Sequence, residues 1–163
     1  LYSSAASDVY KRQYPELYLA ALSANRQMLQ SIRRYVESGG KLLAECGGMM
    51  YLCDEIRDKN GYVYPMAGVL HQSATMENMK LRLGYRTLLY NETRLKGHEF
   101  HYSRLVEQQN PLPSCAVAYT AKGVETDTPL YHYKNVWAGY THLYWADPVG
   151  NEWFTKFVID GNT

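Results

Sequence analysis

The sequence predicts an α/β domain with a mostly parallel central sheet flanked by helices. Two observations carry that prediction. A long amphipathic pattern between Pro15 and Glu37 stops at Ser38-Gly39-Gly40 and feeds a short apolar run, Leu42-Leu43-Ala44. That run is too short for a helix and suits a buried strand. Directly after Cys46-Gly47-Gly48, the residues Met49-Met50-Tyr51-Leu52 read as an apolar helix. Helix therefore gives way to strand, and strand to helix, around one cysteine.

Taken in order, Leu1 to Gln13 is rich in Ser and Ala and has no clear period. It reads as a segment foreign to the domain, such as a cloning scar, with a divergent native N-terminus as the alternative. Residues 14–163 are expected to form the domain. Between Pro15 and Glu37 the residues Leu17, Leu19, Leu22, Met28, Leu29, Ile32, Tyr35 and Val36 recur at helical spacing. Pro15 suits a first turn, and Ser23-Ala24-Asn25 marks a break into two helices.

Beyond the cysteine helix, Asn60-Gly61 signals a hairpin between Ile56 and Tyr62-Val63-Tyr64. Pro65 to Leu70 is expected to start a new strand. From Leu81 to Tyr90, Leu81, Leu83 and Tyr85 alternate with Lys80, Arg82 and Gly84, a half-buried strand pattern. Met76 and Met79 fall in the loop before it and read as core filler. Short strands follow at Ala116–Tyr119, Leu130–Tyr133 and Val136–Tyr140, with a loop at Pro111–Ser114. Trp153, Phe154, Phe157 and Val158 form a closing amphipathic helix after Asp147-Pro148.

Composition narrows the function classes. With 163 residues, 46% hydrophobic and 20% charged, the chain is one globular domain rather than a disordered one. A net charge of +1 from scattered basic residues gives no footprint for nucleic acid. Sixteen tyrosines fit half-buried strands and amphipathic surfaces. Three cysteines without framework spacing suit a reducing cytosol, so a cytoplasmic protein is expected. No apolar run reaches the roughly 18 residues of a membrane span, and no secretory signal is visible. No GxxxxGK[ST] loop occurs, so ATP binding of that kind is not expected in this chain.

Cys46 is the candidate nucleophile. A sharp strand-to-helix turn is the geometry of a nucleophile elbow. A cysteine reacts as its thiolate, and a helix N-terminus favours that anion. The glycines allow close approach of a substrate, and the amide of Gly47 would face a developing oxyanion. One such donor is worth roughly 3–4 kcal/mol in a transition state. The alternative is a buried structural cysteine beside a helix cap.

A cysteine nucleophile needs a base. Of five histidines, His142 follows a strand far from Cys46 in sequence, as catalytic groups at strand ends do. His71 and His132 show no partner pattern and read as structural or exposed. His98-Glu99-Phe100-His101 invites a metal reading. The i, i+3 spacing in a strand puts the two histidines on opposite faces, however, and no metal site is expected.

Residues Ala44 to Leu52 resemble the nucleophile motif of the cobyrinic acid a,c-diamide synthase family, in the glutamine amidotransferase domain at that family's C-terminus. Three more stretches resemble it in the same order: Tyr14-Pro15-Glu16-Leu17 with Leu22-Ser23-Ala24-Asn25, then Gly97-His98-Glu99-Phe100-His101-Tyr102-Ser103, then Tyr140-Thr141-His142-Leu143. The resemblance implies a class I glutamine amidotransferase-like fold, with Cys46 forming a γ-glutamyl thioester and His142 as base and then acid. Ammonia would pass to a separate synthetase domain of the same enzyme. There ATP and Mg would act, and corrin carboxylates would be amidated at the domain interface. No cofactor is expected in this chain. Glu45, His98, Glu99 and His101 belong to the signature without an assigned role.

Two departures stand out. Where triad members of this class carry Glu two residues after the histidine, this chain has Tyr144, so the orienting acid is absent or comes from elsewhere. Where the family has a strand and two glycines before Tyr-Pro-Glu, this chain has Lys11-Arg12-Gln13, so the first strand is expected to be missing and the oxyanion hole incomplete. The alternatives to a glutaminase are a non-catalytic docking module and a general cysteine hydrolase; the alternative acceptor for the ammonia is a nickel tetrapyrrole, amidated by a related enzyme.

Overall fold

The computed structural model describes residues 15–160 and builds them from three sheets and four α-helices. The readings of residues 1–13 and of the missing first strand lie outside the described residues. The N-terminal helix forms in pieces. A 3-10 turn, Pro15–Leu17, precedes α1 (Leu19–Ala24) and α2 (Arg26–Glu37). The break falls at Asn25, whose side chain accepts the Met28 amide at 3.1 Å and so caps α2. Leu29 and Val36 are buried, whereas Met28 and Tyr35 are half exposed, so the buried stripe is narrower than the sequence period implies. The helix stops where Gly39 turns to φ +89, a conformation a residue without Cβ adopts freely.

β1 (Leu42–Glu45) follows, then Cys46, then α3 (Gly47–Leu52). β2 (Glu55–Arg57) and β3 (Val63–Pro65) form the expected hairpin. Its turn is held by Asp58, whose carboxylate accepts the amides of Asn60 at 2.8 Å and Tyr62 at 3.0 Å. The new strand expected from Pro65 to Leu70 does not form, and β3 ends at Pro65. The amides of Met66 to Leu70 bond instead to carbonyls of Tyr51, Leu52, Cys53 and Asp54, so this buried run lines the end of α3 rather than joining a ladder.

After β4 (Ser73–Thr75) the chain forms a long hairpin of β5 (Arg82–Tyr90) and β6 (Thr93–His101), turned at Asn91 with φ +46. Met76 is buried as core filler, and Met79 is 48% exposed. The remaining elements are β7 (Arg104–Leu105), β8 (Val117–Thr120), β9 (Glu125–Thr126), β10 (Leu130–Tyr133), β11 (Val136–Gly139), β12 (His142–Leu143) and α4 (Pro148–Asp160).

The α/β class holds, but the mostly parallel central sheet does not. One sheet has the order β1-β11-β10, a second β12-β6-β5-β8-β9, and a third β3-β2-β4-β7. Among the described residues only β1–β11 and β2–β4 pair in parallel. The reason is the connections. A parallel pair needs a crossover of a dozen residues or more, and most of the chain after α3 is spent on tight antiparallel hairpins.

The polarity of β5 is also the reverse of what the alternation suggested. Leu81, Leu83 and Tyr85 are 47%, 61% and 67% exposed, while Arg86 and Leu88 face inward. The inward positions serve a buried carboxylate, described below, and that pairing overrides hydropathy. The first sheet, by contrast, is covered on both faces. Ala44, Val136 and Ala138 pack into a core beneath α1 to α3. Leu43 and Trp137 point the other way, into a core with Leu88, Leu95, Leu143, Trp153 and Phe157. Burial on both faces explains why β1 and β11 read as continuous apolar runs.

Candidate active site

The expected elbow is present. β1 ends at Glu45, α3 begins at Gly47, and Cys46 between them has φ +49 and ψ −109. A side chain in that region costs on the order of 1–3 kcal/mol and persists only where the surroundings over-determine it. Here they do: the Cys46 amide donates to the Gly139 carbonyl at 2.7 Å, and the Cys46 carbonyl accepts the Met50 amide at 3.1 Å. The thiol is buried and lies 4.0 Å from the carbonyl oxygen of Phe100 on β6. Gly47 is buried as the first residue of α3, and the amide of a first helical residue has no acceptor inside its own helix.

The structure brings His142 to Cys46. The chain leaves β11 at Gly139, crosses through Tyr140-Thr141, and enters β12 at His142, opposite His98 on β6. The His142 ring lies close enough to the Cys46 thiol for the two to interact electrostatically. On its other side, Nδ1 of His142 lies 3.7 Å from Oε2 of Glu45. Interaction with Cys46, and then with the Glu45 carboxylate, pushes the His142 pKa up to about 9, against the effect of burial. His98 stacks on His142 with ring centroids 5.1 Å apart. Burial, and then the neighbouring His142 charge, push the His98 pKa down, so His98 is a neutral neighbour rather than a second cation.

Tyr144 does not reach toward His142 as an acid would. Its ring stacks on His98 with centroids 5.7 Å apart. His98 and Tyr144 thus form an aromatic buttress beside His142.

The other signature residues sit on the opposite face of β6. Glu99 is fully buried, 3.0 Å from Nη2 of Arg86, 3.6 Å from Nε2 of His101, and accepts the Thr141 hydroxyl at 3.3 Å. Burial pushes the Glu99 carboxyl up, but hydrogen bonds from His101 and Thr128 and the charge of Arg86 outweigh it and hold the group below its ordinary range. His101 donates from Nδ1 to the Ser103 carbonyl at 2.9 Å and stacks on Tyr140 at 3.8 Å. Glu99 and His101 therefore form a support under the strand connection that carries His142. His98 and His101 do face apart, as their strand spacing requires. Among the described residues no group of three or more His, Cys, Asp or Glu side chains is arranged to hold a metal.

Two contributors were not singled out in the sequence. Arg86 has a signal there, since it shares one face of β5 with Arg82 and Gly84. Gly97 appeared only as part of a motif. It pairs with Leu143, and a Cβ on it would run into the His142 carbonyl and meet Cγ2 of Thr141 at 2.6 Å. The absence of a side chain is what lets β12 lie against β6.

The other thiols differ from Cys46 in setting. Burial, with the nearby Asp54 charge, pushes the Cys53 thiol up to about 12, and burial pushes Cys115 up to about 11. Both are held in the unreactive protonated form. All three cysteines are free. No helix among the described residues is long and apolar enough to cross a membrane.

Residues 13–149 match the family model described as the CobB/CobQ-like glutamine amidotransferase domain. The hydrogenobyrinate a,c-diamide synthase of Stutzerimonas stutzeri is 36% identical over 137 residues, covering 83% of this chain and 31% of that protein. The cobyrinate a,c-diamide synthase of Caldanaerobacter subterraneus is 37% identical over 138 residues, covering 80% and 30%. That of Salmonella typhimurium is 33% identical over 141 residues, covering 82% and 31%. The chain thus spans about three tenths of the length of the curated relatives it matches.

Proposed function

We propose, for a chain that belongs to the CobB/CobQ-like glutamine amidotransferase domain family, that it hydrolyses glutamine and hands on the ammonia. The observation that carries this reading is the meeting of the Cys46 thiol and the His142 ring at the ends of β1 and β12. In this reading the thiolate attacks the side-chain amide carbon of glutamine, and the Gly47 amide donates to the oxyanion. His142, protonated at neutral pH by its raised pKa, gives its proton to the leaving nitrogen. Ammonia departs and a γ-glutamyl thioester remains. Water, deprotonated by His142, cleaves the thioester to release glutamate and restore the thiol.

The relatives' names support the destination of the ammonia. We read the whole protein as an a,c-diamide synthase acting on a corrin, cobyrinic acid or its cobalt-free counterpart. A synthetase domain with ATP and Mg would activate the a and c carboxylates. Every group this chain contributes belongs to the glutaminase half. A free catalytic thiol and an ATP-using partner suit the cytoplasm.

The test is mass-spectrometric mapping of the cysteine labelled by an electrophilic glutamine analogue, with and without excess glutamine. Labelling of Cys46 that glutamine blocks, with Cys53 and Cys115 untouched, is expected. Labelling that glutamine does not block would point to a general cysteine hydrolase. An unlabelled Cys46 in folded protein would point to a docking module without glutaminase chemistry.

A further inference from the structure

We propose that Glu45, the residue immediately before the nucleophile, is the positioning acid of the site. It would hold the His142 ring by Nδ1 so that the other ring nitrogen serves the sulfur. This deepens the glutaminase reading and rests on it.

The argument begins with the anchoring of the carboxylate. Its Oε1 accepts the Leu143 amide at 3.0 Å, so one oxygen is tied to the strand that carries the base. The second oxygen is thereby placed beside Nδ1 of His142, at 3.7 Å. A bond of 3.0 Å is an ordinary hydrogen bond, and 3.7 Å is an ion-pair distance rather than a formed one. Catalytic contacts of this kind are commonly loose without substrate and tighten with it. Both side chains are mostly shielded, 22% exposed for Glu45 and 26% for His142, where a charge interaction keeps much of its strength.

The backbone makes the placement hard to avoid. Glu45 pairs with Gly139 in the β1–β11 ladder, and His142 lies three residues past Gly139. Glu45 and Cys46, at the end of β1, therefore both lie next to the start of β12. Among the described residues the titratable groups facing His142 are Cys46, Glu45 and His98. His98 is held neutral by burial and meets His142 by its ring face, so it cannot orient Nδ1 through charge. Glu45 is the remaining anion. An imidazole base needs such a partner to fix its tautomer and to stabilise the imidazolium.

The experiment compares wild type, Glu45→Gln, Glu45→Asp and His142→Ala in the full chain, by His142 ring titration in NMR and by the pH profile of Cys46 labelling with the glutamine analogue. In wild type His142 is expected to titrate near 9. Removing the carboxylate charge withdraws part of what favours the imidazolium. In Glu45→Gln the titration should therefore move down toward the ordinary value of 6.5. The labelling optimum should move with it, and the maximal rate should fall about 10- to 1000-fold with little change in glutamine affinity. Glu45→Asp should keep the raised titration and recover part of the rate. If Glu45→Gln titrates and labels as wild type does, the proposal is wrong. If His142→Ala labels as fast as wild type, the base assignment itself fails, whatever Glu45 does.

Discussion

At φ +49 and ψ −109, Cys46 occupies backbone space that glycine alone enters freely. The strain follows from the turn and not from the sulfur, so it should be measurable without any catalysis. Cys46→Gly and Cys46→Ala both remove the thiol, but only the alanine keeps a Cβ in the disfavoured region. Relief of about 1–3 kcal/mol is expected from glycine, less about 0.5–1 kcal/mol for its looser unfolded chain. Urea unfolding should therefore show Cys46→Gly as the more stable of the two, by about 1 kcal/mol. Equal midpoints would mean that the elbow is not strained. This cysteine was legible in the sequence because a strand, two glycines and a helix around it leave few backbone options. The contact of Glu45 with His142 was not, since a charged residue ending a short strand reads equally well as solvated.

Among the elements, β12 is one of the three smallest strands and the most consequential. It has two residues, too few for any period, and it exists only because β6 offers a partner. Such strands are invisible to pattern reading, as were β7 and β9. Strand β5 and the helices α2 and α4 were legible because their lengths carry a repeat, β10 and β11 as short apolar or aromatic runs, and β6 only from Gly97 onward. Their directions were not, because pairing is decided by connections and by distant partners. The fit of β12 on Gly97 gives a direct test. Gly97→Ala must push the His142 backbone outward, and misplacement by about 1 Å can cost on the order of 100-fold in rate. A drop of about 10- to 100-fold in Cys46 labelling by the glutamine analogue is expected, in protein that still unfolds cooperatively. An unchanged labelling rate would show that β12 has room to spare.

Across the whole molecule, the buried carboxylate of Glu99 joins parts that the sheets alone leave separate. Through Arg86 and His101 it binds the β5–β6 hairpin, and through Thr141 the connection between the first and second sheets. Arg82 and Asp127, paired at the surface nearby, add a bond toward the segment before β10. Removing one partner of a buried pair strands a charge, at a cost of about 3–5 kcal/mol. Arg86→Met should lower unfolding stability by that order, and adding Glu99→Gln should recover part of the loss. A second change that deepens the loss instead would show that the carboxylate has enough partners without Arg86. The inverted polarity of β5 follows from this tie. The parallel pairing of β1 with β11 has a different consequence, in time rather than in space. It joins segments near opposite ends of the described chain. Contacts of such long range form late, because the intervening loop must close first. As the polypeptide leaves the ribosome, Cys46 emerges well before Gly139, whose carbonyl holds its amide, and before His142. The thiol is born on an unfinished turn, which is completed only when β11 docks.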